Sequence, residues 1–399
     1  MNQTYTFLDL FAGCGGLSEG FYGQGFRAIA HVEKDQYACE TLKKRMLHYG
    51  YNNVEKSVVQ ADITSPDILD KIKQVAAETK TDVIIGGPPC QSFSTLGRAK
   101  DDSSMKNDPR NYLFKSYVNI LNKLKPKIFV FENVPGLMTA KQKSKPILNN
   151  ILEELKAEYN VLGDIKTMLL NAADYGVPQI RKRIIIIGTR KDLSTHPEEV
   201  YNNIQKTHSQ NASKSMKSLR PFVTVRDAIE ELPKIKPGGG EVKTPFKAIM
   251  SNDYLQKIRP NGMNSLIDHV ARTHNDEDRK RYVAMSKNLW DFSTLLLKKP
   301  ELNHKKQRVF NNSYVVQFWD KPSRTIIAHL YKDGNQFIHP DPNQGRTLTP
   351  REAARLQSFP DNFCFYGSRT QQFKQIGNAV PPLMANAIAK SIKTILRSI

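Results

Sequence analysis

The sequence has little of what marks secreted, membrane or metal-binding proteins. Only four of its 399 residues are cysteine, and none of them form a Cys-x-x-Cys pair, which argues against a disulfide framework and a closed zinc site. No apolar run approaches the ~18 residues of a membrane span, and the start of the chain lacks the basic and small-residue signals of a secretory leader. These absences predict an intracellular protein with free thiols, no metal and no membrane span.

Acidic residues are outnumbered by basic ones. The chain has 39 Asp and Glu against 59 Lys and Arg, a formal net charge of +20 at pH 7. Such a surplus favours a polyanionic partner, because phosphate neutralisation by Lys and Arg is the main sequence-independent source of nucleic-acid affinity. A solvated cationic surface is the alternative. Hydrophobic residues at 39% and charged residues at 25% are ordinary globular usage, which excludes wholesale disorder and fibrous structure.

Short apolar runs alternate with helix-length segments in the first half of the chain. The strand-length runs are residues 7–11, 28–32, 83–85, 128–131 and 184–187. Apolar residues at helical spacing occur between them, in 37–47 and 112–124. Continuous apolar strands without polar alternation are typical of a parallel sheet that is covered on both faces. We therefore expect an α/β fold with a doubly wound, mostly parallel sheet.

The pattern changes after residue 190, where a second and less regular domain is expected. No acidic residue lies between positions 200 and 225, and this polar stretch is typical of a linker or loop. Regularity returns near the end: Thr349 to Glu352 has the form of a capping box that opens a helix to about residue 357, and Pro381-Pro382 precedes a final helix. The predicted domains are 1–190 completed by 375–399, and 191–374.

A glycine-rich turn, DLFAGCGG, follows the first predicted strand. Ser18 occupies the position of the third glycine in the dinucleotide fingerprint, so a pyrophosphate is not indicated. Glu33 ends the second predicted strand, where a carboxylate can accept ribose hydroxyls, and Asp62 could likewise accept from an adenine amino group. An ordinary glycine turn flanked by surface carboxylates is the alternative.

Cys90 stands after two prolines in GGPPCQSFS, which leaves the predicted strand ending at Ile85. Ligands of open parallel sheets bind at the carboxyl ends of the strands, so the stiff loop would present this thiol at the expected site. A lone cysteine is more often a small buried side chain. The position after Pro-Pro at a strand end favours the reactive interpretation.

Two pairs of polar residues flank further strands. Glu132 and Asn133 end an apolar run, where a carboxyl can have a raised pKa and keep a proton to donate as a general acid; capping of the next helix is the alternative. Arg181 and Arg183 precede the isoleucine strand on the same face. They could bind a phosphate or orient the acid, or be solvated.

In combination these segments resemble the DNA (cytosine-5)-methyltransferases of bacterial restriction–modification systems. The matching motifs are residues 7–16, 87–94, 132–134, 179–183, 346–361 and 375–382, in the family's usual order. The unmatched stretch, about 191–320, falls where the family keeps its variable target-recognition domain. The resemblance therefore implies a methyltransferase fold, with 1–190 and 375–399 as the catalytic domain.

The resemblance also implies the chemistry and its residues. It assigns S-adenosylmethionine, as methyl donor, to Phe11, Gly13, Gly15, Glu33, Asp62, Pro89 and Asn378. It assigns catalysis to Cys90 as nucleophile, Glu132 as acid, Arg181 near the base, and Asn133 and Arg183 beside them. Because C5 of cytosine is a poor nucleophile, thiolate addition at C6 with protonation at N3 is needed to make C5 electron-rich. The base must first swing out of the duplex.

The implied partners are double-stranded DNA and a cognate endonuclease acting separately, with the protein a monomer in the bacterial cytoplasm at the nucleoid. Two alternatives stay open at this point. Some relatives methylate RNA, and a non-catalytic DNA-binding repressor could retain the fold. The recognised DNA sequence cannot be read from residue types, since groove contacts also depend on placement and DNA shape.

Overall fold

The computed structural model describes residues 3–89, 112–142, 145–212, 219–304 and 312–399. They divide into two compact units. Unit 1 comprises Met1–Tyr175, Lys182–Lys206 and Pro382–Ile399, and unit 2 comprises Gly176–Arg181 and Thr207–Pro381. Residues 176–181 and 375–381, which the sequence analysis grouped with the larger domain, thus pack within unit 2.

Unit 1 is built on a mixed, mostly parallel sheet. Its strands are β1 Thr6–Leu10, β2 Arg27–Glu33, β3 Val58–Gln60, β4 Val83–Gly86, β5 Ile128–Asn133, β6 Lys141–Gln142, β7 Lys145–Pro146, β8 Tyr159–Val161, β9 Leu169–Asn171 and β10 Lys182–Arg190. In the described residues eight of them form one sheet in the order β3-β2-β1-β4-β5-β10-β8, with β9 also paired to β10. The neighbours from β3 to β5 are parallel, and β10 is antiparallel to its partners. The predicted α/β fold is confirmed.

Helices connect the parallel strands of unit 1. They are α1 Gly16–Gly23, α2 Gln36–His48, α3 Val54–Ser57, α4 Ile68–Ala76, α5 Leu113–Leu124, α6 Ile147–Leu155, α7 Ile165–Met168 and α8 Pro197–Asn202, with 3₁₀ turns at Pro135–Met138 and Ala172–Tyr175. The apolar runs are buried because the sheet is covered: Val83 to Ile85 and Ile184 to Ile187 have no exposed surface. The carboxyl ends of β1, β2, β4 and β5 consequently lie at one edge of the sheet, as parallel pairing requires.

Unit 2 is less regular, as its sequence predicts. Its strands are β11 His208–Ser209, β12 Arg220–Pro221, β13 Gly240–Pro245 and β14 Ser265–Val270. Its helices are α9 Val225–Ile229, α10 Asp253–Ile258, α11 Asp276–Asn288, α12 Phe292–Lys298, α13 Pro350–Leu356 and α14 Arg369–Asn378, with 3₁₀ turns at Pro300–Leu302, Ala328–Tyr331 and Asn335–Phe337. The capping box of α13 forms as expected, between Thr349 and Glu352.

The last helix, α15 Pro382–Leu396, belongs to unit 1. Ser391 Oγ donates to the carbonyl of Val200 at 2.5 Å, and Tyr5 Oη donates to the carbonyl of Leu396 at 2.8 Å. These buried contacts join the carboxyl-terminal helix to α8 and to the beginning of the chain. The predicted final helix after Pro381-Pro382 is therefore present, and both chain ends lie in one unit.

Charged side chains occupy much of the interior of unit 2. We call Arg346, Arg351, Arg355, Glu231, Glu352 and Asp361 the arginine network; all are buried. Arg346 makes a two-pronged pair with Glu352, at 2.8 and 2.7 Å, and Arg355 makes another with Asp361, at 2.8 Å on both oxygens. Such pairs leave little of either charge without a partner, which is the condition for burying them.

Candidate active site

The turn after β1 has a backbone shape that few sequences tolerate. Phe11, Gly13 and Gly15 all have positive φ, at 58°, 54° and 88°, which is an uncommon state for a bulky residue such as phenylalanine. Among the described residues, no heavy atom beyond the neighbouring residues lies within 4 Å of the position that a Cβ of Gly13 would take. The turn therefore leaves open space beside its backbone before α1 begins.

The carboxylate of Glu33 ties the end of β2 to this turn. Its Oε2 accepts a hydrogen bond from the Gly13 backbone N–H at 2.7 Å, while Oε1 accepts from the backbone of Lys34 and Asp35 at 2.7 and 2.8 Å. The structure thus brings together two residues that the sequence predicts for one nucleotide-like ligand, and their contact fixes the turn relative to the strand.

Asp62 follows β3 and already has internal partners. Its Oδ2 lies 2.7 Å from Lys34 Nζ, and its Oδ1 accepts from the backbone and hydroxyl of Thr64. Hydrogen bonds from Lys34 and then from Thr64 lower the pKa of Asp62 to about 2. The carboxylate is therefore ionised at neutral pH and is a strong acceptor at the edge where Glu33 also stands.

Beneath the turn lies a buried polar pair that sequence reasoning missed. Asp9 in β1 and Ser18 in α1 have almost no exposed surface, and their side-chain oxygens are 2.5 Å apart. Burial raises the pKa of Asp9 to about 8, with the Ser18 hydrogen bond opposing the shift and the charge of Glu33 adding to it. Sequence reasoning treated β1 as a continuous apolar run, and that pattern gave no signal that the carboxyl of Asp9 would be buried.

The ends of β4 and β5 form the second half of the site edge. Gly86 pairs in parallel register with Phe131, so the loop that follows β4 runs beside Glu132 and Asn133. Buried Asn133 donates from Nδ2 to the carbonyl of Pro88 at 3.2 Å. The structure describes this loop through Pro89, and Cys90 lies outside the described residues.

Arg183 and Glu132 form an ion pair at this edge. Arg183 is carried by β10 next to β5, with Ile185 opposite Glu132 in the antiparallel register. Its Nε lies 2.8 Å from Glu132 Oε1, and the two side chains are only 11% and 13% exposed. Burial lowers the pKa of Arg183, and the neighbouring carboxylate of Glu132 opposes that shift.

Arg181 contacts a different set of groups, three backbone carbonyls of unit 2. Its side chain is fully buried and donates to the carbonyls of Ile326 at 2.6 Å, Gly377 at 3.0 Å and Ala379 at 2.9 Å. The exposed residue between the last two carbonyls is Asn378, the remaining residue predicted for the cofactor. The two arginines that the sequence suggested for one role therefore bind different groups.

The described residues contain neither a metal-binding cluster nor a membrane-crossing helix. No cluster of three or more His, Cys, Asp or Glu there is arranged to hold a metal ion. Among those same residues, no helix combines the length and apolarity that a membrane crossing needs.

A mixed, mostly parallel sheet in this strand order, with a glycine-rich turn after β1, is the methyltransferase fold. The solved structure of a prophage-encoded protein of E. coli, described as a candidate DNA modification methyltransferase, is similar at a TM-score of 0.72, with 27% identity over 99% of this chain and all of that one. The chain belongs to the C-5 cytosine-specific DNA methylase family, whose model matches residues 5–394. Its activity is accordingly DNA cytosine-5 methylation. Base flipping and a covalent cysteine adduct are general to this family.

Curated relatives are similar over nearly the whole chain. The type II methyltransferase M.Bpa9945I of Bacillus paralicheniformis is 34% identical, with 98% of each chain covered. The type II methyltransferase M.DdeI of Desulfomicrobium norvegicum is 35% identical, over 98% of this chain and 89% of that protein. The likeness therefore includes the variable middle segment as well as the motifs.

Proposed function

We propose that this protein is the modification enzyme of a type II restriction–modification system. In this proposal it transfers a methyl group from S-adenosylmethionine to C5 of a flipped-out cytosine in duplex DNA, with Cys90 as the nucleophile. The full-length likeness to named type II methyltransferases supports the biological setting. We also predict a companion endonuclease, a monomeric protein and action at the bacterial nucleoid.

The observation that carries the catalytic assignment is the junction of the β4 and β5 ends. Glu132 sits there beside the loop that leads into Cys90, with its carboxyl held by Arg183, and Asn133 binds the same loop at Pro88. If this loop presents the Cys90 thiol, the thiol and the Glu132 carboxyl lie at the same end of the sheet. That is the pairing needed to add a nucleophile at C6 while a proton reaches N3.

The described residues fit S-adenosylmethionine. When bound, this cofactor supplies an electrophilic methyl group. Glu33 ends β2 with a carboxylate suited to ribose hydroxyls, the ionised Asp62 can accept from an adenine amino group, and the open space at Gly13 lets a ligand approach the backbone. Phe11, Gly15, Pro89 and Asn378 complete the predicted set.

Each catalytic residue has one task in the proposed reaction. The Cys90 thiolate forms a bond to C6 while Glu132 gives a proton to N3, which makes C5 nucleophilic. After methyl transfer, loss of the C5 proton breaks the bond to sulfur and releases the thiolate. Arg183 keeps the Glu132 carboxyl in place, and Asn133 keeps the loop in place.

The test is covalent trapping on duplex DNA. A 5-fluorocytosine substrate cannot lose a C5 proton, so with S-adenosylmethionine the wild-type protein should form a stable protein–DNA adduct, and radiolabelled methyl groups should reach unmodified DNA. Cys90→Ser should abolish both. Cys364→Ser, at an exposed cysteine outside the predicted site, should change neither.

Normal methyl transfer by Cys90→Ser would refute the assignment of the nucleophile. Trapping on tRNA in preference to duplex DNA in the same assay would refute the proposed substrate, and absence of any adduct would favour a non-catalytic DNA-binding protein. Bisulfite sequencing of DNA from expressing cells then identifies the modified cytosine and its sequence context.

A further inference from the structure

Gly87 lies against the carboxyl group of Glu132. A Cβ added at Gly87 would stand 2.6 Å from Glu132 Oε2 and 3.5 Å from the Glu132 carbonyl oxygen, and real side chains do not tolerate the shorter of these distances. The φ of Gly87 lies outside the left-handed region. Glycine is therefore required at position 87 because no room exists for a Cβ, whereas the backbone conformation there would allow other residues.

The Glu132 carboxyl has little freedom to move away from an added methyl group. On its other oxygen, Oε1, it is paired with Arg183 Nε at 2.8 Å, and both side chains are largely buried. Arg183 is in turn held by its donation from Nη1 to the carbonyl of Lys182 at 2.8 Å. The carboxyl group is thus confined between a guanidinium and the Cα of Gly87.

The backbone at Gly87 is equally constrained. Gly86 ends β4 in register with Phe131 of β5, and the carbonyl of Pro88 accepts the hydrogen bond from buried Asn133. Residues on both sides of Gly87 are therefore attached to β5. An added methyl group would be accommodated chiefly by displacement of the Glu132 side chain.

We infer that Gly87 is a positioning residue that sets the place of the Glu132 carboxyl by leaving it room. This inference rests on the proposed function, in which Glu132 is the acid that protonates the base. The inference gives the GGPPC segment a second role besides presenting a thiol. Its residue Gly87 packs against the Glu132 carboxyl and limits where that carboxyl can lie.

The experiment is a double-mutant cycle on Gly87→Ala and Glu132→Gln. Single-turnover methyl transfer is measured with saturating S-adenosylmethionine and saturating duplex DNA. Gly87→Ala should slow the reaction about 100-fold, as a displacement of ~1 Å at a catalytic group does, while the affinities for cofactor and DNA stay within about threefold. In the Glu132→Gln background the same change should cost less than about threefold, because there is no acid left to misplace.

Gly163→Ala is the matched control. Gly163 is exposed in the same unit, has no heavy atom within 4 Å of its Cβ position and lies outside the left-handed region. It should react at the wild-type rate. Near-normal turnover by Gly87→Ala overturns the inference, and so does an undiminished 100-fold cost in the Glu132→Gln background, since Gly87 would then act elsewhere.

Two further outcomes keep the inference separable from the function it rests on. Normal turnover by Glu132→Gln alone refutes Glu132 as the acid, and with it the task assigned to Gly87, while Cys90 and the methyltransferase assignment stand. If Gly87→Ala instead lowers the melting temperature sharply, the same clash predicts that it lowers it little further in a Glu132→Ala background, compared with Glu132→Ala alone. An undiminished drop in that background overturns the inference.

Discussion

Replacing Arg355 with methionine should destabilise unit 2 strongly. The Arg355 guanidinium is fully buried and holds both oxygens of Asp361 at 2.8 Å as well as Glu231 Oε1 at 2.9 Å. Methionine fills a similar volume, so packing is largely kept and the electrostatic loss dominates. Glu231 retains its pair with Arg259, whereas Asp361 is left as a buried carboxylate that has lost its hydrogen-bonded cation. Breaking such a pair costs about 3–5 kcal/mol.

Tryptophan fluorescence is suited to this measurement. The only two tryptophans of the chain, Trp290 and Trp319, both lie in unit 2, so the urea transition seen by fluorescence reports that unit. With a slope of about 2.5 kcal/mol per molar urea, the midpoint should fall by roughly 1–2 M. Arg279→Met, which removes an exposed pair with Asp276, should change the free energy of unfolding by less than about 1 kcal/mol.

The reasoning predicts a partial rescue. Adding Asp361→Asn to Arg355→Met removes the orphaned charge, so the double variant should recover at least half of the lost free energy, since a buried neutral amide costs far less than a buried carboxylate. A urea midpoint for Arg355→Met within about 0.3 M of the wild-type value would refute this reasoning. It would show that the Arg355–Asp361 pair is not needed to stabilise the buried Asp361 carboxylate.

Two further predictions concern other buried polar groups. Because the pKa of folded Asp9 is raised to about 8, the free energy of unfolding of the wild type falls as pH rises from about 4 to 8, by up to ~1.4 kcal/mol per pH unit. Urea titrations should show that Asp9→Asn is more stable than the wild type. The difference should grow up to about pH 8 and stay constant above it. Arg181→Lys removes the guanidinium that donates to the carbonyls of Ile326, Gly377 and Ala379 together and should cost about 1–3 kcal/mol. Calorimetric titration should show weaker S-adenosylmethionine binding to that variant through Asn378, and unchanged affinity would contradict this link.

The sheet of unit 1 could be predicted because each of its main strands is an uninterrupted apolar run. The predicted runs 7–11, 28–32, 83–85, 128–131 and 184–187 correspond to β1, β2, β4, β5 and β10. Burial on both faces removes the need for polar alternation, so the pattern is strong and local. The short strands β3, β8 and β9 carry too few residues for a pattern and were not predicted.

The candidate site could be predicted only as a set of residue types at strand ends. Sequence order places Glu33, Asp62 and Glu132 at one edge of a parallel sheet, but it does not show which groups touch. The place that a Cβ of Gly87 would take lies 2.6 Å from Glu132 Oε2, and the Asp9 and Ser18 oxygens lie 2.5 Å apart, in each case between two different elements of the fold. Packing of the folded chain sets these distances, and no periodic pattern in the sequence reveals them.

The two arginines of QIRKR show why spacing alone is insufficient. Alternate residues of an extended chain point to one face, which suggested one shared task. Arg181 instead meets three backbone carbonyls of unit 2, and Arg183, which follows in β10, meets the carboxylate of Glu132. A guanidinium that binds backbone carbonyls holds the chain segments that carry them. A guanidinium that binds a carboxylate fixes the orientation of that carboxylate and favours its ionised form. In the proposed mechanism Glu132 protonates the base, so loss of Arg183 should change the rate of methyl transfer, and loss of Arg181 should disturb the backbone around Asn378.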